Sequence, residues 1–122
     1  MILTTAARNA MTDAFVDLID AGAGAGTLVF ETSGDVEVAT LTFSDPAFGS
    51  AASGVATASA ITSDTSATGG TVAQASIYDS NATKVVELSV GTSGTDIVIS
   101  STTIGAGATV SCSSLTFTMP AS

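Results

Sequence analysis

Two hydrophobic periods divide the chain. From Thr4 to Asp20 the apolar residues Ala7, Ala10, Met11, Ala14, Phe15, Leu18 and Ile19 recur at the three- and four-residue steps of one helical stripe. Arg8, Asn9, Asp13, Asp17 and Asp20 take the other side and read as a solvated face. Thr4 or Thr5 can cap the start. Gly22 can take the left-handed conformation that ends such a helix.

Beyond Gly22, Gly24 and Gly26 the period changes to two. Predicted strands are 28–32, 36–43, 54–61, 71–78, 85–90, 96–100 and 108–119. They are separated by turn signals such as Ser33-Gly34-Asp35 and Asp79-Ser80-Asn81. In the last of them the apolar positions change parity between Cys112 and Leu115, which predicts a bulge or two strands. Seven or eight short strands of this kind predict a mainly β fold, an antiparallel β-sandwich of jelly-roll or immunoglobulin-like topology behind one N-terminal amphipathic α-helix. No linker or internal repeat divides the chain, so residues 1–122 read as a single domain. Within it, 1–21 form the helical segment, 22–26 a glycine hinge and 27–122 the sandwich.

The glycine run "DAGAGAGTLVFE" is not a phosphate-binding loop. Such a loop follows a strand and opens a helix, whose N-terminal amides face the anion. Here the order is helix, glycines, strand, and Asp20 adds a negative charge at the helix's negative end.

Composition agrees with strands. Thr and Ser are abundant, and the aromatic residues are five Phe and one Tyr with no Trp. Eleven Asp and Glu stand against two basic residues, Arg8 and Lys84, for a net charge of −9. A field of that sign repels nucleic acid and anionic lipid, so neither is expected as a partner. No apolar run is long enough for a transmembrane helix. The start, "MILTTAARNA", lacks the basic and apolar regions of a signal peptide, and the chain is expected to remain in the cytoplasm where it is made until assembly.

Catalytic chemistry finds little to work with. The chain has no histidine, the usual base for a Ser or Cys nucleophile and the commonest transition-metal ligand. Cys112, its one cysteine, reads as a buried structural thiol, with an intermolecular disulfide or a reactive thiol as the alternative. Glu31, Asp35 and Glu37 flank a tight turn, where acids are ordinary. "SDTSATGG" at 63–70 and "YDSNAT" at 78–83 could offer oxygens to calcium but match no EF-hand spacing. Asn81-Ala82-Thr83 is a formal glycosylation sequon of the kind a Thr-rich chain contains by accident. The expectation is a protein that is not an enzyme and uses no cofactor or metal.

Three segments, "LTTAARNAMTDAFVDLIDAGAGAGTL", "ATLTFSDPAFGSAASGVATASAITSDTSAT" and "SVGTSGTDIVISSTTIGAGATVSCSSLTFTMP", resemble a group of small tailed-bacteriophage and prophage virion structural proteins. The chain departs from that group between Phe30 and Val38, where a short turn replaces a longer Pro-containing connection. The resemblance implies a capsid decoration or cement protein that binds the major capsid protein or other virion proteins, self-associates as a homo-oligomer, and sits on the outer surface of capsid or tail after synthesis in the host bacterial cytoplasm. A tail, collar or connector component is the alternative, and a carbohydrate-binding or adhesive module a more remote one. Interface candidates are Met11, Phe15 and Leu18 on the helix and Phe48 in the "SDPAFGSAAS" loop. The helix can pack on its own domain or swing to a neighbour. Phe48 can stand out as an anchor or fold back to plug the sandwich end.

Overall fold

Thr4 starts the helix. Its hydroxyl accepts the Ala7 N–H at 3.1 Å, and α1 runs Thr5–Asp17 in the computed structural model, which describes residues 1–121. A 3-10 turn, Leu18–Asp20, finishes it, and Gly22 follows with a positive φ of 93°. Nine short strands follow among the described residues: β1 (Thr27–Glu31), β2 (Glu37–Thr42), β3 (Val55–Thr57), β4 (Gly70–Thr71), β5 (Gln74–Tyr78), β6 (Lys84–Gly91), β7 (Ile97–Val98), β8 (Thr103–Ile104) and β9 (Thr116–Thr118).

The fold is mainly β and sandwich-like, with one N-terminal helix. Its main sheet has the order β2-β1-β5-β6-β7. Two small antiparallel pairs accompany it, β3 with β9 and β4 with β8. Alternation places Leu28 and Phe30 of β1, Ala39 and Leu41 of β2, Ala75 and Ile77 of β5, and Leu88 and Val90 of β6 on the inner face. With Val16, Ile19, Phe43, Phe48, Ala56, Val72 and Leu115 they form one continuous buried cluster. The helix packs on β3 and β9, so it belongs to its own domain.

Four expectations are corrected. The pair β6–β7 is parallel, not antiparallel. Asp96 accepts the Ser89 N–H and hydroxyl at 3.0 and 3.1 Å and returns its own N–H to the Ser89 oxygen at 2.9 Å. That closes a tight loop, which brings Ile97 and Val98 back beside Val90 and Gly91 in the same direction. The predicted strand 71–78 is two, because at Val72 and Ala73 the chain leaves the β4–β8 pair for the main sheet. The predicted strand 108–119 shrinks to β9. Leu115 is out of phase with Val110 and Cys112, and the change of parity falls in the unpaired residues 111–114 rather than in a bulge within one strand. Strand 54–61 likewise shortens to β3, continued by single bridges such as Phe48 to Ala58.

The glycine segment is fixed rather than free. Ser80 receives the Gly24 N–H on its oxygen at 3.2 Å and donates its hydroxyl to the Ala21 carbonyl at 2.9 Å. Gly26 is buried where backbones touch. A Cβ there would stand 2.7 Å from the Tyr78 oxygen and 2.8 Å from Ile19.

Candidate functional site

The helix is turned about its axis relative to the orientation its amphipathic pattern suggests. Its inward residues are Thr12, Val16 and Ile19, with Phe15 half-buried beside them. Ala6, Ala10, Met11, Ala14 and Leu18 face outward, Met11 at 43% and Leu18 at 55% exposure. Much of the apolar stripe seen in the sequence therefore lies in solvent.

The polar side chains explain this rotation. The Asn9 Oδ1 accepts the Gly54 N–H at 2.8 Å, the Asp13 Oδ1 accepts the Ala51 N–H at 2.7 Å, and the Asp20 Oδ1 accepts the Ala47 N–H at 2.8 Å. Thr12 donates its hydroxyl within 2.9 Å of both the Gly54 and Arg8 carbonyls. The loop from Ala47 to Gly54 thus offers its main-chain groups to one helix face, and only polar side chains can satisfy them. Gly54, at φ 78°, fits because a Cβ there would meet the Met119 oxygen at 2.9 Å. Asp13 and Asp20 are therefore clamp residues, not the solvated acids expected of them. Asp17 alone of the three is exposed.

The four interface candidates separate. Met11 and Leu18 share the outward face. Phe15 lies edge-on to Phe117, ring centroids 4.8 Å apart. Phe48 is buried, 6% exposed, against Phe43 and Phe117, so of its two alternatives the folded-back plug is the one adopted. Beside the helix a cleft of about 200 Å³ is lined by Thr12, Phe15, Phe117, Thr118 and Met119.

Elsewhere the acids are tied to the fold. Glu31 is buried and accepts the Ser76 hydroxyl at 2.6 Å and the Tyr78 hydroxyl at 3.2 Å, a role its place next to a turn did not suggest. Asp64 accepts the Thr40 and Ser66 N–H groups, both at 2.9 Å, and these bonds hold its carboxyl below its ordinary pKa. Asp79 accepts the N–H groups of Asn81 and Thr83 at 2.9 Å. The two stretches that could have offered oxygens to calcium thus spend their carboxylates on main-chain amides. Among the described residues no three His, Cys, Asp or Glu are grouped so as to hold a metal ion.

Both basic side chains have partners. Lys84 pairs with Glu87 at 3.1 Å and sits over the Tyr78 ring, and Glu87 raises its pKa. Arg8 reaches the Ser53 carbonyl at 3.4 Å. Cys112 is half-buried, and loss of solvent pushes its thiol pKa up. No helix among the described residues is long and apolar enough to cross a membrane.

Comparison of the chain with protein-family models, with curated proteins and with solved structures finds no match.

Proposed function

We propose that this chain is a structural subunit of a tailed-bacteriophage virion, a capsid decoration or cement protein that binds the major capsid protein, and that the outward face of α1 is its docking surface. The observation that carries the docking surface is the helix's orientation. Met11 and Leu18 lie in solvent among alanines, on a helix whose position is set by polar bonds on its other side. Met11 and Leu18 are already about half covered, so covering the rest of either would contribute roughly 0.7–1.6 kcal/mol. The virion setting is supported by the resemblance of the three long segments.

The face is about 20 Å long, given 13 helical residues. At a helix width of about 10 Å it spans roughly 200 Å², small beside the ~800 Å² that each partner contributes to a stable isolated interface. It suits a subunit present in many copies, each adding a little to the cohesion of a shell. The charge of −9 complements a partner surface whose apolar centre is rimmed by Lys and Arg. The protein would act without catalysis or cofactor.

Two measurements test this. The first is the stoichiometry of the chain in purified particles, by quantitative mass spectrometry. A simple ratio to the shell protein supports decoration, a single ring's worth moves the protein to the tail, collar or connector, and absence overturns the virion reading. The second is the double variant Met11→Gln, Leu18→Gln. It should fold as the parent does and fail to enter particles; unchanged incorporation would reject the helix face as the contact.

A further inference from the structure

The outward face of α1 continues toward β9. Arg8, Met11, Phe15 and Leu18 recur at three- and four-residue steps, so they form one flank of the helix, and no acid lies on it. Beside that flank runs the cleft of about 200 Å³ lined by Thr12, Phe15, Phe117, Thr118 and Met119. Thr12 already gives its hydroxyl to the Gly54 and Arg8 carbonyls, which leaves walls that are mainly apolar. The space suits one large apolar side chain and falls short of the ~300–1,000 Å³ of a small-molecule pocket.

Arg8 stands at the end of this cleft. The point where a Gly54 Cβ would stand is 3.0 Å from Arg8 Nη1 and 2.9 Å from the oxygen of Met119, a wall residue. The Arg8 carbonyl receives the hydroxyl of Thr12, another wall residue, at 2.9 Å.

The guanidinium meets only neutral oxygens. Its Nη1 donates to the Ser53 carbonyl at 3.4 Å and its Nη2 to the Thr5 hydroxyl at 3.5 Å, both at the long limit of a hydrogen bond. Its Nε is buried with no acceptor. The one ion pair among the described residues is Lys84 with Glu87, so none of the eleven Asp and Glu pairs with Arg8. A guanidinium is a rigid fork of donors matched to a carboxylate, and this half-buried one is under-satisfied.

Charge then selects the occupant. A partner bringing only Lys and Arg would set like charge against Arg8, and a wholly apolar one would bury the guanidinium unpaired. A second copy at −9 is disfavoured by mutual repulsion.

We propose that this cleft is the specificity pocket of the α1 docking surface, where a partner protein seats one large apolar side chain and pairs a carboxylate with Arg8. The inference rests on the α1 face being that surface. Phe15 lies about 10 Å along the helix axis from Arg8, so in an extended partner segment the two groups would stand two or three residues apart.

Arg8 is the only arginine, so its Nε–H gives one resonance in a proton–nitrogen correlation spectrum of the full chain. Hydrocinnamate joins a ring to a carboxylate; hydrocinnamyl alcohol and acetate each lack one of the two. At millimolar concentration hydrocinnamate should shift the Arg8 resonance together with the Thr118 and Met119 amides, and bind about tenfold more tightly than either control. No shift, or an equal response to acetate or the alcohol, overturns the pocket whether or not the α1 reading holds.

Particles give the second readout. Arg8→Gln should weaken binding to them about tenfold, and Arg8→Lys less, because it keeps the charge and loses the fork. If Met11→Gln, Leu18→Gln abolishes incorporation while a folded Arg8→Gln enters particles as the parent does, this inference alone falls. If neither variant changes incorporation, the docking face falls with it. Should Arg8→Gln fail to fold, Arg8→Lys and the titration of the wild type decide.

Discussion

The carboxylate of Asp13 accepts the main-chain N–H of Ala51 at 2.7 Å, joining residues 38 positions apart. One turn away Asn9 does the same for Gly54, and together they decide which face of α1 meets the body of the protein. A helix whose apolar stripe would normally be covered is held with Ala10, Met11, Ala14 and Leu18 of that stripe outward.

Removing either clamp should be costly. Asp13→Ala and Asn9→Ala each leave a loop N–H without its acceptor, and each should lower stability by about 1–3 kcal/mol in urea unfolding. Asp17→Ala, on the exposed face of the same helix, should stay within about 0.5 kcal/mol of the parent. Equal effects at positions 13 and 17 would mean that the clamp contributes nothing.

Gly26 and Gly105 offer a paired test of close packing. A Cβ at position 26 would press into the Tyr78 and Ile19 backbones, whereas at position 105 it would meet nothing within 4 Å. Gly26→Ala should therefore cost about 1–3 kcal/mol or more. Gly105→Ala should be neutral or stabilise by up to ~1 kcal/mol through the unfolded chain. Thermal melting of the two variants side by side checks this.

Asp64 predicts an acid dependence of known sign. Its carboxyl is held below 3.8 by the Thr40 and Ser66 amides, so the folded state binds the proton less readily than the unfolded chain. Its contribution is whole above the unfolded pKa and is lost as pH falls through the lower folded value. Asp64→Asn should consequently be less stable than wild type at neutral pH, with the gap narrowing below about pH 4. A gap that holds constant down to pH 2 would contradict this assignment.

The Cys112 thiol should react sluggishly in the folded protein. Burial holds its pKa above 9.0, which lowers the thiolate fraction at pH 8. A disulfide reagent should modify it more slowly in native protein than in urea. Equal rates would show the thiol to be freely solvated.

Much of the architecture was legible because it is written locally. The Thr4 cap, the helical period that follows it, and the alternation of Leu28, Phe30, Ile77, Leu88 and Val90 depend on neighbours a few residues away. Such patterns identify a helix followed by short strands. Ser33-Gly34-Asp35 and Asp79-Ser80-Asn81 likewise mark their turns by residue type, and the lack of histidine limits the chemistry on inspection.

What only the tertiary structure decided is which partner each side chain meets. The helical period locates an apolar stripe, but the main-chain N–H groups of Ala47, Ala51 and Gly54 must be satisfied, and their loop lies against the polar side. Those unsatisfied amides are invisible in the sequence, so it could not say that Met11 and Leu18 would face water. For the same reason the burial of Glu31 against Ser76 and Tyr78, and of Phe48 against Phe43 and Phe117, comes from contacts distant in the chain. The parallel return of β7 beside β6 follows from the Asp96–Ser89 bonds and the loop they close. Local periodicity specifies the elements here, whereas the need to pair buried main-chain groups specifies how they are turned.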